Sequence, residues 1–244
     1  MLGEIDFDRI INFEQKDFIN RVSPVYTGIK KTKKQLKNTN LIGFARAPWT
    51  LLVYMINKES PKKNFNIKSF FKEEEKIEQL MHKIEDFIYL HLKKQIECGA
   101  DVVQIFDSWA GLLPDSEVKK FCFDPTKRIV EKLKKLDKPI ICFPRGIKEN
   151  YEGFCKIVKP DCISIDYDIE PSWILKKAGG IPIQGGLDPK FLLGSVEDLQ
   201  KNITKYISTF SNYPYIFNLG HGVLPETKPE TIDFIVKFIR RKYD

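Results

Sequence analysis

The chain has 244 residues, 42% of them hydrophobic, and carries a formal net charge of +7. That length suits one large domain or two small ones, and that apolar fraction sustains a core, which excludes a disordered chain. No run of about 18 apolar residues is present to span a bilayer, and the acidic start Met1-Leu2-Gly3-Glu4-Ile5-Asp6 lacks the regions of a secretory signal. A soluble cytoplasmic protein with no membrane partner is expected.

Five cysteines (Cys98, Cys122, Cys142, Cys155, Cys162) are odd in number, never spaced C-x-x-C and mostly set among apolar neighbours, which favours reduced, buried thiols. With histidine only at 82, 91 and 221, no metal cluster is readable. The positive charge is mostly lysine, as in residues 30–34 and 132–135. A solvated surface is the plain reading and attraction of a polyanion the sharper one; nucleic acid is disfavoured because no basic and aromatic reader motif occurs.

Along the chain, residues 13–36 are charged and helix-like, with Pro24 in the middle, and residues 1–38 form a helical lead-in. A first strand is expected at 41–44. Ile77, Leu80, Met81, Ile84, Ile88, Leu92 and Ile96 then recur at helical spacing, stopping at Gly99. A second strand follows at 102–106. Pro125 should divide the stretch 116–136 into two shorter helices. Further strands are expected at 139–143, 162–165, 181–184 and 215–218, all apolar enough to be buried on both faces. Ser195-Val196-Glu197-Asp198 opens one helix, and Thr227-Lys228-Pro229-Glu230 opens the last with a capping-box pattern, turning Ile232, Ile235, Val236 and Ile239 inward. Six βα units make an α/β fold with a parallel sheet. A doubly wound nucleotide binder has no support, since neither G-x-G-x-x-G nor G-x-x-x-x-G-K-[ST] follows a strand. A (β/α)₈ barrel would be incomplete, with about six of eight units.

Ligands of parallel βα folds meet the carboxyl ends of the strands. Those ends are polar here: Arg46 with Tyr54 beyond it, Asp107-Ser108-Trp109, Arg145-Gly146, Asp166-Tyr167-Asp168, Gly185-Gly186-Leu187-Asp188 and Gly220-His221-Gly222. His221 lies between two glycines that let a ligand approach. Tyr54 either packs or donates its hydroxyl, and Ser108 and Asp107 either cap a helix or face a ligand. Asp166 and Asp188 read as turn or supporting carboxylates, and Arg145 either clamps an anion or pairs with one of them. No nucleophile, base and orienter set emerges, so residue chemistry stops at an anion-accepting pocket.

The segments Gly43-Phe44-Ala45-Arg46-Ala47-Pro48-Trp49-Thr50-Leu51 with Tyr54-Met55, Phe106 to Gly111, Phe143 to Gly146, Gln184 to Pro189 and Phe217 to Gly222 closely resemble uroporphyrinogen decarboxylase, in order and spacing, from about residue 40 onward. The resemblance implies a (β/α)₈ barrel, usually a homodimer, that removes the four acetate carboxyl groups of uroporphyrinogen III as CO₂ to give coproporphyrinogen III in haem biosynthesis, without metal or organic cofactor. It makes Tyr54, Ser108 and His221 substrate-binding residues; Arg145, Asp107, Asp166 and Asp188, read above from the strand ends, are expected to support them. The family's arginine-containing loop and catalytic aspartate have no match in residues 1–40. The expectation is therefore impaired catalysis by this chain alone, or else a non-catalytic remnant that binds porphyrinogens or a partner subunit. Arg46 stands where the family commonly has a small residue, and Gly186 where it commonly has asparagine. The zinc-dependent methyl-transfer branch of the fold has little support, because no cysteine follows residue 162.

Overall fold

A computed structural model of the protein describes residues 6–57 and 74–243; the acidic start at residues 1–5 lies outside them. The chain divides into two units, Met1–Cys162 and Ile163–Asp244.

The first unit opens with helices α1 (Phe7–Ile11) and α2 (Gln15–Gln35), and α2 continues through Pro24. Strands β1 (Ile42–Arg46), β2 (Val102–Asp107) and β3 (Ile140–Pro144) run parallel as successive neighbours, with Ile42 opposite Val102 and Val103 opposite Ile140. Helices α3 (Pro48–Asn57) and α4 (Glu74–Glu97) follow β1. The spacing of apolar residues in α4 is realised as a buried stripe: Ile77, Leu80, Met81, Ile84, Ile88 and Leu92 all face the core. The helix ends just before Gly99, whose φ of 113° is open to glycine without strain. On its other side α4 receives α2, through the Phe18 ring tilted against that of Phe87 at 4.7 Å and the Tyr26 hydroxyl 3.1 Å from His91 Nδ1.

After β2 come α5 (Asp115–Val118), a π-helical turn at Lys119–Phe123 and α6 (Asp124–Leu133). The expected break occurs here as that widened turn, with Pro125 in the first turn of α6, where its missing N–H is harmless. Arg128 of α6 forks onto the buried Glu85 of α4, with both N–H···O distances at 2.7 Å. Helix α7 (Asn150–Val158) follows β3.

The second unit contains β4 (Cys162–Ile165), α8 (Pro171–Lys177), β5 (Ile183–Gly185), α9 (Val196–Thr209), β6 (Tyr215–Ile216) and α10 (Pro229–Tyr243). These strands are also parallel neighbours, with Ile163 opposite Ile183 and Ile183 opposite Tyr215. Ser195 caps α9 as its sequence suggests, its hydroxyl accepting from the Asp198 N–H at 3.1 Å. Six successive parallel βα units give the expected α/β class and the strand-helix order of a (β/α)₈ barrel, with six of its eight units.

Three expectations need correction. Strands β3, β4 and β5 are buried throughout, but β1 alternates, leaving Ile42 46% and Phe44 60% exposed, and Ile216 of β6 is 48% exposed. The apolar run reports the capacity of a strand to be buried, and neighbours decide whether it is. Helix α10 starts one residue later than a Thr227 cap requires, with Pro229 at its first position; the Thr227 hydroxyl is buried without a hydrogen bond among the described residues. On that helix Ile235 is buried, whereas Ile232 and Val236 are exposed.

The open edge of β1 has a closure of its own. Leu41 and Ala47 bond toward β2, through Asp101 N–H to Leu41 O and Ala47 N–H to Phe106 O, both at 2.8 Å. By the alternation of a parallel strand, the backbone of Phe44 points the other way. There the buried Gln95 side chain takes both groups: Phe44 N–H donates to Oε1 at 3.0 Å, and Nε2 donates to Phe44 O at 2.8 Å. Gly43 makes this possible, since a Cβ there would lie 2.7 Å from Gln95 Oε1. Cys122, Cys142, Cys155 and Cys162 are buried and Cys98 half-buried, all as free thiols. No helix among the described residues is long and apolar enough to cross a membrane.

Candidate active site

In the first unit, the carboxyl ends of β1, β2 and β3 are tied together through the start of α3. The Thr50 hydroxyl donates to Asp107 Oδ1 at 2.6 Å and accepts from the Trp109 N–H at 3.2 Å. Trp49 Nε1 donates to the Trp109 carbonyl at 2.9 Å. From β3, the Arg145 N–H donates to the Asp107 carbonyl at 3.1 Å, and the Arg145 carbonyl accepts from Gly111 N–H at 2.9 Å. Gly111 and Gly146 allow that approach, because a Cβ on Gly111 would fall 2.8 Å from the Gly146 carbonyl oxygen. These bonds fix the turn that carries Ser108.

Asp107 therefore does not cap the helix after its own strand. It is 3% exposed and supports the first turn of α3 from outside. Burial pushes its carboxyl up to about 6, against the hydrogen bonds from Thr50 and the interaction with the Cys122 thiol, which favour the ionised form. Asp107 Oδ2 and Trp109 Nε1 are both buried without hydrogen-bond partners among the described residues. Ser108 caps no helix either; it sits half-buried in the turn, and its hydroxyl bonds none of the described residues. Tyr54, on α3, meets Trp109 edge-on at 6.2 Å, while the Arg46 guanidinium lies over the Tyr54 ring, 4.5 Å from its centroid. The structure thus brings Tyr54, Asp107, Ser108 and Arg145 to one end of this unit. Thr50 joins them unannounced: as one hydroxyl in a helix start, it gave no signal of a bond to a residue 57 positions away.

In the second unit, three strand ends also converge. The Gly220 N–H donates to the Leu187 carbonyl at 2.7 Å, and a Cβ on Gly220 would stand 2.5 Å from the Tyr167 nitrogen. Glycine at 220 thus lets the loop bearing His221 lie directly on the Asp166–Tyr167 backbone. His221 is exposed, and Asp166 is buried, its Oδ1 accepting from the Asp168 N–H at 3.1 Å. Asp188 caps the short turn Pro189–Leu193, accepting from Lys190 N–H at 2.9 Å. Asp166, Asp188 and His221 therefore share one end of this unit, the two carboxylates as turn supports.

The family model described as uroporphyrinogen decarboxylase (URO-D) matches residues 4–242. The chain belongs to the uroporphyrinogen decarboxylase family. It is 42% identical over 226 residues to the uroporphyrinogen decarboxylase of Rickettsia bellii, covering 91% of this chain and 66% of that relative. To the enzyme of Cereibacter sphaeroides it is 37% identical over 245 residues, covering 97% and 71%. The chain thus spans about two thirds of the length of these uroporphyrinogen decarboxylases. Among solved structures, a methyltransferase from Methanosarcina mazei superposes with a TM-score of 0.75 at 16% identity, over 92% of this chain and 65% of that one. A B12-independent methionine synthase from Shewanella follows the same path with a TM-score of 0.63 at 14% identity, over 89% and 67%. These two likenesses concern the fold.

One departure from the uroporphyrinogen decarboxylase pattern has a local explanation. Gly186 adopts φ 102°, and a Cβ there would lie 2.4 Å from the ring of Tyr206, whose hydroxyl donates to the Gly186 carbonyl at 2.6 Å. The tyrosine occupies the room that an asparagine side chain would need.

Proposed function

We propose that this protein acts in the decarboxylation of uroporphyrinogen to coproporphyrinogen. Each of four pyrrole acetates breaks its bond to the carboxylate, CO₂ departs, and a proton takes the vacated position to leave a methyl group. The electron pair of the breaking bond needs a sink, which a pyrrole protonated on a ring carbon supplies, and that ring carbon gives its proton back once the methyl group has formed, so the step calls on no metal or organic cofactor. The protein's task is then to hold many carboxylates and a transient cation in a fixed polar setting.

The observation that carries the reading is a coincidence of family and place. Tyr54, Ser108 and His221, the residues that the resemblance assigns to substrate, stand at or just beyond the carboxyl ends of β1, β2 and β6, where parallel βα folds present their ligand-binding groups. Their hydroxyls and imidazole are donors suited to carboxylates. Equilibrium binding of uroporphyrinogen under anaerobic conditions tests this. Tyr54→Phe, Ser108→Ala and His221→Ala should each weaken binding by about tenfold, the worth of a hydrogen bond to a charged group. Unchanged affinity in all three removes these residues from the site.

A second reading concerns the 244-residue polypeptide acting alone: porphyrinogen binding with little turnover. It is favoured by residues 6–41, where Arg9 and Arg21, the two arginines before β1, both sit on helices and none lies in a loop after a strand. Coproporphyrinogen formation within about tenfold of a longer relative would overturn it. A cytoplasmic homodimer belongs to the first reading, and mass measurement in solution checks the dimer.

A further inference from the structure

Arg46 ends β1 and leaves the strand on the same face as Ile42 and Phe44, opposite to the face on which Gly43 meets α4. It is exposed, and its guanidinium rests over the Tyr54 ring at 4.5 Å from the centroid. No carboxylate of a described residue pairs with it, whereas Arg128 in the same unit is neutralised by a two-bond fork from Glu85. Arg46 borders a groove of about 450 Å³ that is walled mainly by apolar side chains of α1, α2 and α4 and is continued at the Arg46 end by Phe44, Leu51 and Met55. An arginine at a strand's carboxyl end, stacked on a ring and without a carboxylate partner among the described residues, is not explained by the packing of the fold that they form.

We propose that Arg46 is a substrate-binding residue that forks onto a carboxylate of the porphyrinogen beside Tyr54; this rests on the function proposed above. Stacking covers one face of the guanidinium and restricts its rotamers while leaving the N–H edges free, the orientation a two-bond carboxylate clamp requires. Much of the ordering entropy is thereby lost before the ligand arrives. The apolar wall lowers local screening and strengthens the contact. In position, Arg46 joins the Tyr54 hydroxyl, so one ring both carries a donor and aims a cation.

Binding of uroporphyrinogen to the full chain, to Arg46→Ala and to Arg46→Lys under anaerobic conditions decides this. The alanine variant should bind about tenfold more weakly at low ionic strength, with a smaller deficit in high salt. Lysine should recover part of the loss, since it returns the charge without the planar fork. Coproporphyrinogen, which keeps the propionates and lacks the acetates, divides the supporting result: a deficit that persists assigns Arg46 to a propionate, and one that vanishes assigns it to an acetate. Thermal unfolding of the alanine variant should lie within about 4 °C of the parent, because Arg46 donates no hydrogen bond to a described residue and loses one exposed cation–ring contact. A larger fall in Tm together with weakened binding gives Arg46 a structural role and overturns the proposal. Parent binding with affinity for Arg46→Ala within about twofold overturns the proposal and leaves the function standing. No binding by the parent overturns both.

Discussion

Asp107 is a buried acid whose ionised form the surroundings only partly accommodate, and that has a measurable sign. Its folded value of about 6 lies above the ordinary 3.8. Below pH about 4 the carboxyl is protonated in both states and incurs no penalty. From there to about pH 6 the unfolded chain releases the proton while the folded chain retains it, so this group's contribution to stability falls as pH rises, and above about 6 the loss is complete. Asp107→Asn keeps an acceptor for the Thr50 hydroxyl and removes the charge. In paired urea melts, the parent should gain on the variant by about 2 kcal/mol between pH 7 and pH 4, since each tenfold difference in proton affinity between the two states is worth roughly 1.4 kcal/mol and the unfolded carboxyl is still partly ionised at pH 4. A gap that does not change with pH would mean that Asp107 titrates like a solvated carboxylate.

At the level of elements, α4 is the spine of the first unit, taking α2 on one side and α6 on the other. The join to α6 and the π-helical turn before it combines the buried Glu85 fork with flanking pairs, Lys120 of the turn to Glu78 at 2.6 Å and Lys132 of α6 to Asp86 at 2.8 Å. These flanking pairs are solvated and contribute little. Glu85 differs, since its side chain is only 4% exposed. Arg128→Ala should therefore destabilise the fold by about 2 kcal/mol, below the range for a fully buried pair because Arg128 is itself 41% exposed. Lys132→Ala is the control and should fall within about 0.5 kcal/mol of the parent. Equal losses in the two variants would show that burial of Glu85 is immaterial. The join to α2 is of another kind, aromatic contacts around His91, whose imidazole is held below its usual range by burial.

Across the whole molecule, what could be read from the sequence was what depends on a residue and its near neighbours. Six apolar runs gave six strands within about two residues of their ends, and Ser195 gave a cap, because burial capacity and capping are local properties. The exposed faces of β1 and α10 were not legible, since exposure depends on what packs against an element, and an isoleucine looks the same covered or bare. The same division runs through the candidate residues at the strand ends of each unit. Tyr54, Ser108 and His221 could be singled out from their motifs, whereas Thr50, and Arg46 as a stacked cation, owe their standing to residues folded against them. Gln95 also belongs to this class: in sequence it is one polar residue near the end of an amphipathic helix. In the fold it acts as a strand one residue long. Any polypeptide that extends the sheet at β1 must evict it and repeat its two hydrogen bonds, so that rung yields almost nothing and the gain must come from covering Ile42 and Phe44. Gln95 is thus a competitive inhibitor of strand addition. Gln95→Leu should make the chain self-associate at lower concentration than the parent, as followed by light scattering, and equal monodispersity would deny Gln95 that part.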